Sequence, residues 1–214
     1  MILKRKISKE EIKDLPIAEF TGRIIVVQTE EDAIKAVTHL LSQPLLGIDS
    51  ETRPSFSKGQ TYKVALLQVS TDECCFLFRL NMIGLTPSII SLLENEKVKK
   101  IGLSLHDDFM MLHKRASFTQ KGCIELQEFI PKFGIHELSL QKIYAILFNQ
   151  KISKSQRLSN WESEILSDKQ KVYAATDAWA CIQVYRQLLK LKRTQDYELE
   201  PEPEDEEIPL ENKA

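Results

Sequence analysis

The sequence predicts an α/β layer sandwich built around a mixed β-sheet. Three observations carry that expectation. Strand-like and helix-like segments alternate along residues 22–192. Within that order a strand-like run is followed by two more with no helix between them, which reads as an antiparallel block. Later strands are separated by helical stretches, as parallel crossovers require, and the pattern ends in a long helix.

The elements follow in order. "GRIIVVQT" (22–29) is apolar and β-branched, a strand signature. "TEEDAIKAVTHLLSQP" reads as a helix. Thr29 with Asp32 resembles a capping box, and Ile34, Val37, His39, Leu40 and Leu41 form a stripe that stops before Pro44. "LLGIDSET" (45–52) is the second strand, and "RPSFSKGQ" a loop. "YKVALLQVST" (62–71) and "ECCFLFRL" (73–80) flank a tight polar turn and predict a hairpin. "TPSIISLLEN" is a short helix, "KVKKIGLS" (97–104) a strand, and "HDDFMMLHKRA" the start of a helix. "GCIELQEF" (122–129) reads as a short strand and "SLQKIYAILF" (139–148) as a helix. "KISKSQRLSNWESEIL" (151–166) has no clean period and reads as a loop. The final helix spans 167–192, with Ser167 and Gln170 as its capping box.

Composition narrows the class. Hydrophobic residues make up 43% of the 214 and charged residues 28%, the balance of a globular protein with a full core. No apolar run reaches the roughly 18 residues a membrane span needs, and "MILKRKISKEEIKDLP" is not expected to be a secretory leader. Cys74, Cys75, Cys123 and Cys181 form no C-x-x-C pair, which argues against a disulfide framework or zinc site and fits a reducing cytoplasm. From Asp196 the tail holds 9 acidic residues, three prolines and one lysine, which predicts disorder over 196–214. The remaining body has 28 basic and 22 acidic residues, a charge of +6 compatible with a polyanionic partner. Residues 1–21 stand before the first strand as an N-terminal extension.

Acidic residues carry the chemistry. In a strand, alternate side chains share a face, so Asp49 and Glu51 point the same way at the end of an apolar run. Asp107 and Asp108 lie at a strand-to-helix junction. Tyr173 and Asp177, four apart, project from one helix face. Alone, each has an ordinary explanation: a solvated strand end, a helix-dipole residue, a surface pair. Together, four carboxylates can share a site only if cations neutralise them. All-oxygen ligands suit Mg²⁺ or Mn²⁺, and two such ions about 4 Å apart can clamp the attacking and leaving oxygens of a phosphodiester.

These residues sit in motifs. "GIDSET", "IGLSLHDDFMML" and "YAATDAWA" occur in order. "KVALLQVS" follows the first, and the third closes the longer run "RLSNWESEILSDKQKVYAATDAWA". In these features residues 22–192 resemble the DEDD superfamily of 3′–5′ exonucleases, in the tyrosine-containing branch that includes ribonuclease D and the exonuclease domain of the Werner syndrome protein. The resemblance implies a ribonuclease H-like three-layer sandwich, a mixed central β-sheet flanked by helices, over residues 22–195. It implies two Mg²⁺ or Mn²⁺ ions held by Asp49, Glu51, Asp108 and Asp177, with Tyr173 orienting the attacking water. Asp108 is chosen over Asp107 because the family's second-motif Asp precedes a Leu by four residues, and Leu112 fits. Ser104 departs from members that carry Asn or His at its position, which bears on substrate contacts rather than on metals.

The implied substrate is a DNA or RNA strand with a 3′ end. Thr52 is expected near the sugar of the terminal nucleotide. Lys114, Lys154 and Arg157 are candidates for the strand path, with Arg115 and Lys151 beside them. Trp161 could stack on a base, but a Trp ahead of a packed helix is more often a core anchor. His106 is set aside as a catalyst, because Tyr173 fills the third-motif place where another branch uses His. A catalytically inactive nucleic-acid-binding module is the rival from another class. A nucleotide-binding Rossmann domain is excluded by the lack of a Gly-rich loop after a strand. DNA and RNA, single strands and recessed duplex ends all remain open at this level.

Overall fold

The computed structural model describes residues 1–201. After β1 (Ile2–Leu3) and α1 (Lys9–Lys13), the chain enters the main sheet at β2 (Arg23–Val27). Helix α2 (Glu30–Leu41) leads to β3 (Leu45–Glu51), β4 (Leu66–Ser70) and β5 (Cys74–Phe78). Helices α3 (Leu80–Ile83) and α4 (Pro87–Leu93) precede β6 (Lys99–Gly102). Then come α5 (Leu105–Leu112), β7 (Cys123–Glu125), α6 (Leu126–Phe129) and a 3-10 turn at Ile130–Phe133. Helices α7 (Leu140–Phe148) and α8 (Asp168–Thr194) and strand β8 (Glu198–Leu199) complete the described chain.

The sheet order is β2-β5-β4-β3-β6-β7. β3, β4 and β5 are antiparallel neighbours, while β2–β5, β3–β6 and β6–β7 run parallel. The expected mixed sheet between helical layers is therefore what forms. β4 is buried along its whole length because both faces are covered. On one face Leu46, Ile48, Leu67 and Val69 meet α2, α4 and α5. On the other, α7, α8 and the 151–166 segment pack their own clusters.

Local chemistry sets the helix starts. Thr29 Oγ1 accepts from the Asp32 amide at 3.2 Å, as the capping pattern suggested, but Asp32 returns its carboxylate to the Thr29 hydroxyl rather than to the backbone. Ser167 and Gln170 make the complete reciprocal box at α8.

Several boundaries differ from the sequence reading. Ile34 and His39 lie on the exposed side of α2, and Ala33, Ala36, Val37 and Leu40 form its buried stripe; small alanines let the helix sit close to the sheet. Residues 62–65 are not strand, and pairing begins only where Leu66 meets Glu51. The 122–129 run divides after Glu125, whose carboxylate caps α6 by accepting from the Gln127 amide.

The two ends need a larger correction. Residues 1–21 are built into the domain, with Leu3, Ile7 and Ile12 buried. Disorder from residue 196 is overturned for 196–201: β8 pairs in parallel with β1, and Tyr197 packs 6.0 Å from Phe133. Tyr197 and Leu199 supply the apolar contacts that a purely charged tail lacks. The remainder of that expectation, 202–214, lies outside the described residues. Among the described residues no helix is long and apolar enough to cross a membrane.

Candidate active site

Gly47 explains how the site is assembled. A Cβ there would come within 1.8 Å of the Ala178 carbonyl oxygen, so only glycine lets α8 lie this close to β3. Asp49 and Glu51 follow Gly47 at two-residue intervals and share its face. Asp177 precedes Ala178 on the approaching helix. One carboxylate oxygen from each of Asp49, Glu51 and Asp177 lies within 4.8 Å of the others, a set able to hold a metal ion. Among the described residues, no lysine or arginine forms an ion pair with them.

Asp108 sits beside this triad rather than in it. Ser50 points to the opposite face of β3, and its hydroxyl donates to Asp108 Oδ1 at 2.5 Å. Helix α5 is held in place from its first turn. The Ser104 and Leu105 amides donate to Glu125 Oε1 and Oε2 at 3.0 and 2.6 Å, while Ser104 takes a left-handed conformation at φ 64°. Asp107 and His106 lie on the exposed side of this helix.

Two residues that bear on the acids escaped the sequence reading. One is Ser50. The other is Gln68, paired with Asp49 in the β3–β4 register and fully buried. Its Nε2 donates to Asp49 Oδ2 at 3.2 Å, while its Oε1 has no partner. The available signal was a lone amide inside the apolar run "ALLQV", because a buried polar side chain needs a reason.

Crowding and burial act together on the carboxyls. Burial first, then Asp108, Glu51 and Asp177, push Asp49 well above the usual range. Glu51 rises to about 9 through burial, with Asp177 and Asp108 adding to it and Arg157 opposing. Burial lifts Asp108 to about 7 while the Ser50 hydroxyl holds it down. Asp177 also reaches about 7 through burial, opposed by the Tyr173 hydroxyl and by Lys154. Burial and the neighbouring carboxylates push Tyr173 upward, so it stays protonated and acts as a donor.

The 151–166 segment brings Arg157 and Lys154 within electrostatic reach of Glu51 and Asp177. Buried Arg79 anchors it, donating to the Ser163 carbonyl and, at 3.3 Å, to that of Glu164. Trp161 is fully buried with its ring 5.9 Å from that of Tyr173, so it is a core anchor and not a base platform. Thr52 is half-buried directly after Glu51. Lys114 is not drawn in: it is exposed, with Nζ 3.0 Å from Met111 Sδ. Arg115 turns to the Val64 carbonyl at 2.6 Å, and Lys151 to that of Lys13.

A family model described as 3′-5′ exonuclease matches residues 24–192. The chain belongs to this 3′-5′ exonuclease family. Within the DEDD exonucleases, it is 30% identical over 202 residues to the bifunctional 3′-5′ exonuclease/ATP-dependent helicase WRN of Mus musculus, covering 89% of this chain and 14% of that protein. It is 28% identical over 201 residues to a 3′-5′ exonuclease of Arabidopsis thaliana, covering 86% and 70%. Among solved structures, the Nibbler EXO domain of Aedes aegypti superposes with a TM-score of 0.72 at 21% identity, covering 81% of this chain and 90% of that one. Escherichia coli RNase D gives 0.70 at 15%, covering 81% and 45%. These structural likenesses show that the chain shares its fold with these domains.

Proposed function

We propose that the protein is a metal-dependent 3′–5′ exonuclease that releases 5′-mononucleotides from DNA or RNA. The observation that carries this reading is the convergence of Asp49, Glu51 and Asp177, which form no ion pair with a lysine or arginine among the described residues. Three acids held this close, with their pKa values raised by burial and mutual repulsion, gain from a hard cation bound through oxygen. Asp49, Glu51, Asp177 and the adjacent Asp108 would hold two Mg²⁺ or Mn²⁺ ions. When bound, such ions lower the pKa of a water and stabilise the departing 3′ oxygen.

The chain's own residues do the rest. Gln68 helps fix Asp49 by donating to its Oδ2. Tyr173 offers its proton as a hydrogen bond and aims the water; with its pKa raised it keeps that proton, and so is unsuited to act as a base. Arg157 and Lys154 offset phosphate charge on the strand side. Thr52 meets the terminal sugar, and Lys114 would meet the strand farther out. Four unpaired cysteines support a reducing, cytoplasmic setting.

The test uses DNA and RNA single strands labelled at either end. With Mn²⁺, 5′-labelled substrate should give a descending ladder and 3′-labelled substrate an immediate mononucleotide, and both should vanish in EDTA or with Asp49→Asn. A ladder that persists in EDTA overturns the metal mechanism. Binding without hydrolysis in Mn²⁺ makes the protein an inactive binding module.

A further inference from the structure

The segment joining β3 to β4 begins directly after Glu51 and Thr52. Its sequence "RPSFSKGQTYK" carries Arg53, Lys58 and Lys63 and no acidic residue. At its base, the Arg53 guanidinium lies 4.8 Å from the centre of the Tyr62 ring. Arg53 also pairs with Glu162 at 3.4 Å. The base is thus closed on itself and tied to the segment that carries Lys154 and Arg157. The tip is different. A Cβ on Gly59, at φ 83°, would meet nothing within 4 Å, and the tip's hydrogen bonds are local, Ser55 to Ser57 and Gln60 to Ser57.

Phe56 stands on that tip at 85% exposure, the highest among the large hydrophobics of the described residues. One exposed apolar side chain is unremarkable by itself. This one is an aromatic on an all-basic loop, five residues from Glu51, and therefore at most about 17 Å from it along an extended chain. Aromatic faces beside fixed positive charge are what an unpaired nucleic-acid strand binds, because each base offers a π-face and each phosphate an anion.

We propose that loop 53–63 grips the body of a single-stranded substrate, with Phe56 stacking on a base upstream of the scissile bond and Lys58 and Lys63 on its phosphates. The proposal rests on the exonuclease reading of the acid site and adds a strand-binding surface to it. A protein partner would need acidic complementarity to the same loop, and the adjacent carboxylates oppose that.

The experiment compares wild type, Phe56→Ala, Phe56→Trp and Lys58→Ala/Lys63→Ala. Binding of a short fluorescent single strand is measured with Ca²⁺ in place of Mn²⁺. Hydrolysis in Mn²⁺ is measured on that strand and on the p-nitrophenyl ester of thymidine 5′-monophosphate, which has a scissile ester and no strand. Phe56→Ala should weaken strand binding about tenfold, raise KM on the strand, and leave hydrolysis of the small ester and the melting temperature unchanged. Phe56→Trp should restore binding, and the double lysine variant should bind with a shallower salt dependence. Strand binding by Phe56→Ala equal to wild type overturns the proposal. Failure of wild type to hydrolyse either substrate overturns the exonuclease reading instead, while the binding comparison still decides the loop.

Discussion

Asp107 and Asp108 differ by one position and about 100° of helix rotation. That step turns Asp108 to Ser50 and leaves Asp107 in solvent. Asp108→Ala should abolish Mn²⁺-dependent hydrolysis, whereas Asp107→Ala should reduce it no more than several-fold. Equal losses in initial rate, or the reverse order, would show that the wrong acid was assigned. Asp49, Glu51 and Asp177 were legible as site candidates because strand parity and the Tyr-x-x-x-Asp spacing are one-dimensional rules. Ser50 and Gln68 were not, because their roles depend on which strand or helix packs opposite them. The orientation of Lys114 was illegible for the same reason, since charge alone does not say where a surface lysine points.

At the scale of elements, the pairing of β3 with α8 makes the site. Gly47→Ala would drive a methyl into the Ala178 carbonyl, and backbone cannot move aside as a side chain can. It should cost about 1–3 kcal/mol and weaken Mn²⁺ binding by separating Asp177 from Asp49. An unchanged melting curve with unchanged metal affinity would contradict this close approach. The hairpin, both capping positions and the final helix could be read from sequence because they are encoded locally. The β1–β8 pairing could not, since it joins strands of two residues each at opposite ends of the chain. Its contribution can be measured. A chain ending at Gln195 loses β8, Tyr197 and Leu199 and should melt lower than one ending at Pro201. Identical melting temperatures would mean that the pairing adds nothing to the fold.

For the whole molecule, the acid site trades stability for cation binding. Asp108 and Asp177 near 7 and Glu51 near 9 lie above the values of an unfolded chain, about 4. The metal-free folded state therefore holds more protons than the unfolded state between those limits. Stability in EDTA should be highest at the acidic end and fall as pH rises from about 4 to 9. Glu11, lowered to about 2 chiefly by its bond to Lys4, acts in the opposite sense but below that window. A melting temperature that rises across the window would contradict the electrostatic account, and Mn²⁺ should flatten the slope.

Asp177→Asn separates charge from shape at the centre of this arrangement. The most direct measurement is the melting of wild type and Asp177→Asn, each in EDTA and in saturating Mn²⁺. In EDTA the variant should be the more stable by about 1 kcal/mol, because one of the converging charges is gone. In Mn²⁺ it should gain less than wild type, because one ligand is gone. If the variant melts lower than wild type in EDTA, or gains as much from Mn²⁺, then Asp49, Glu51, Asp108 and Asp177 do not form one cation site.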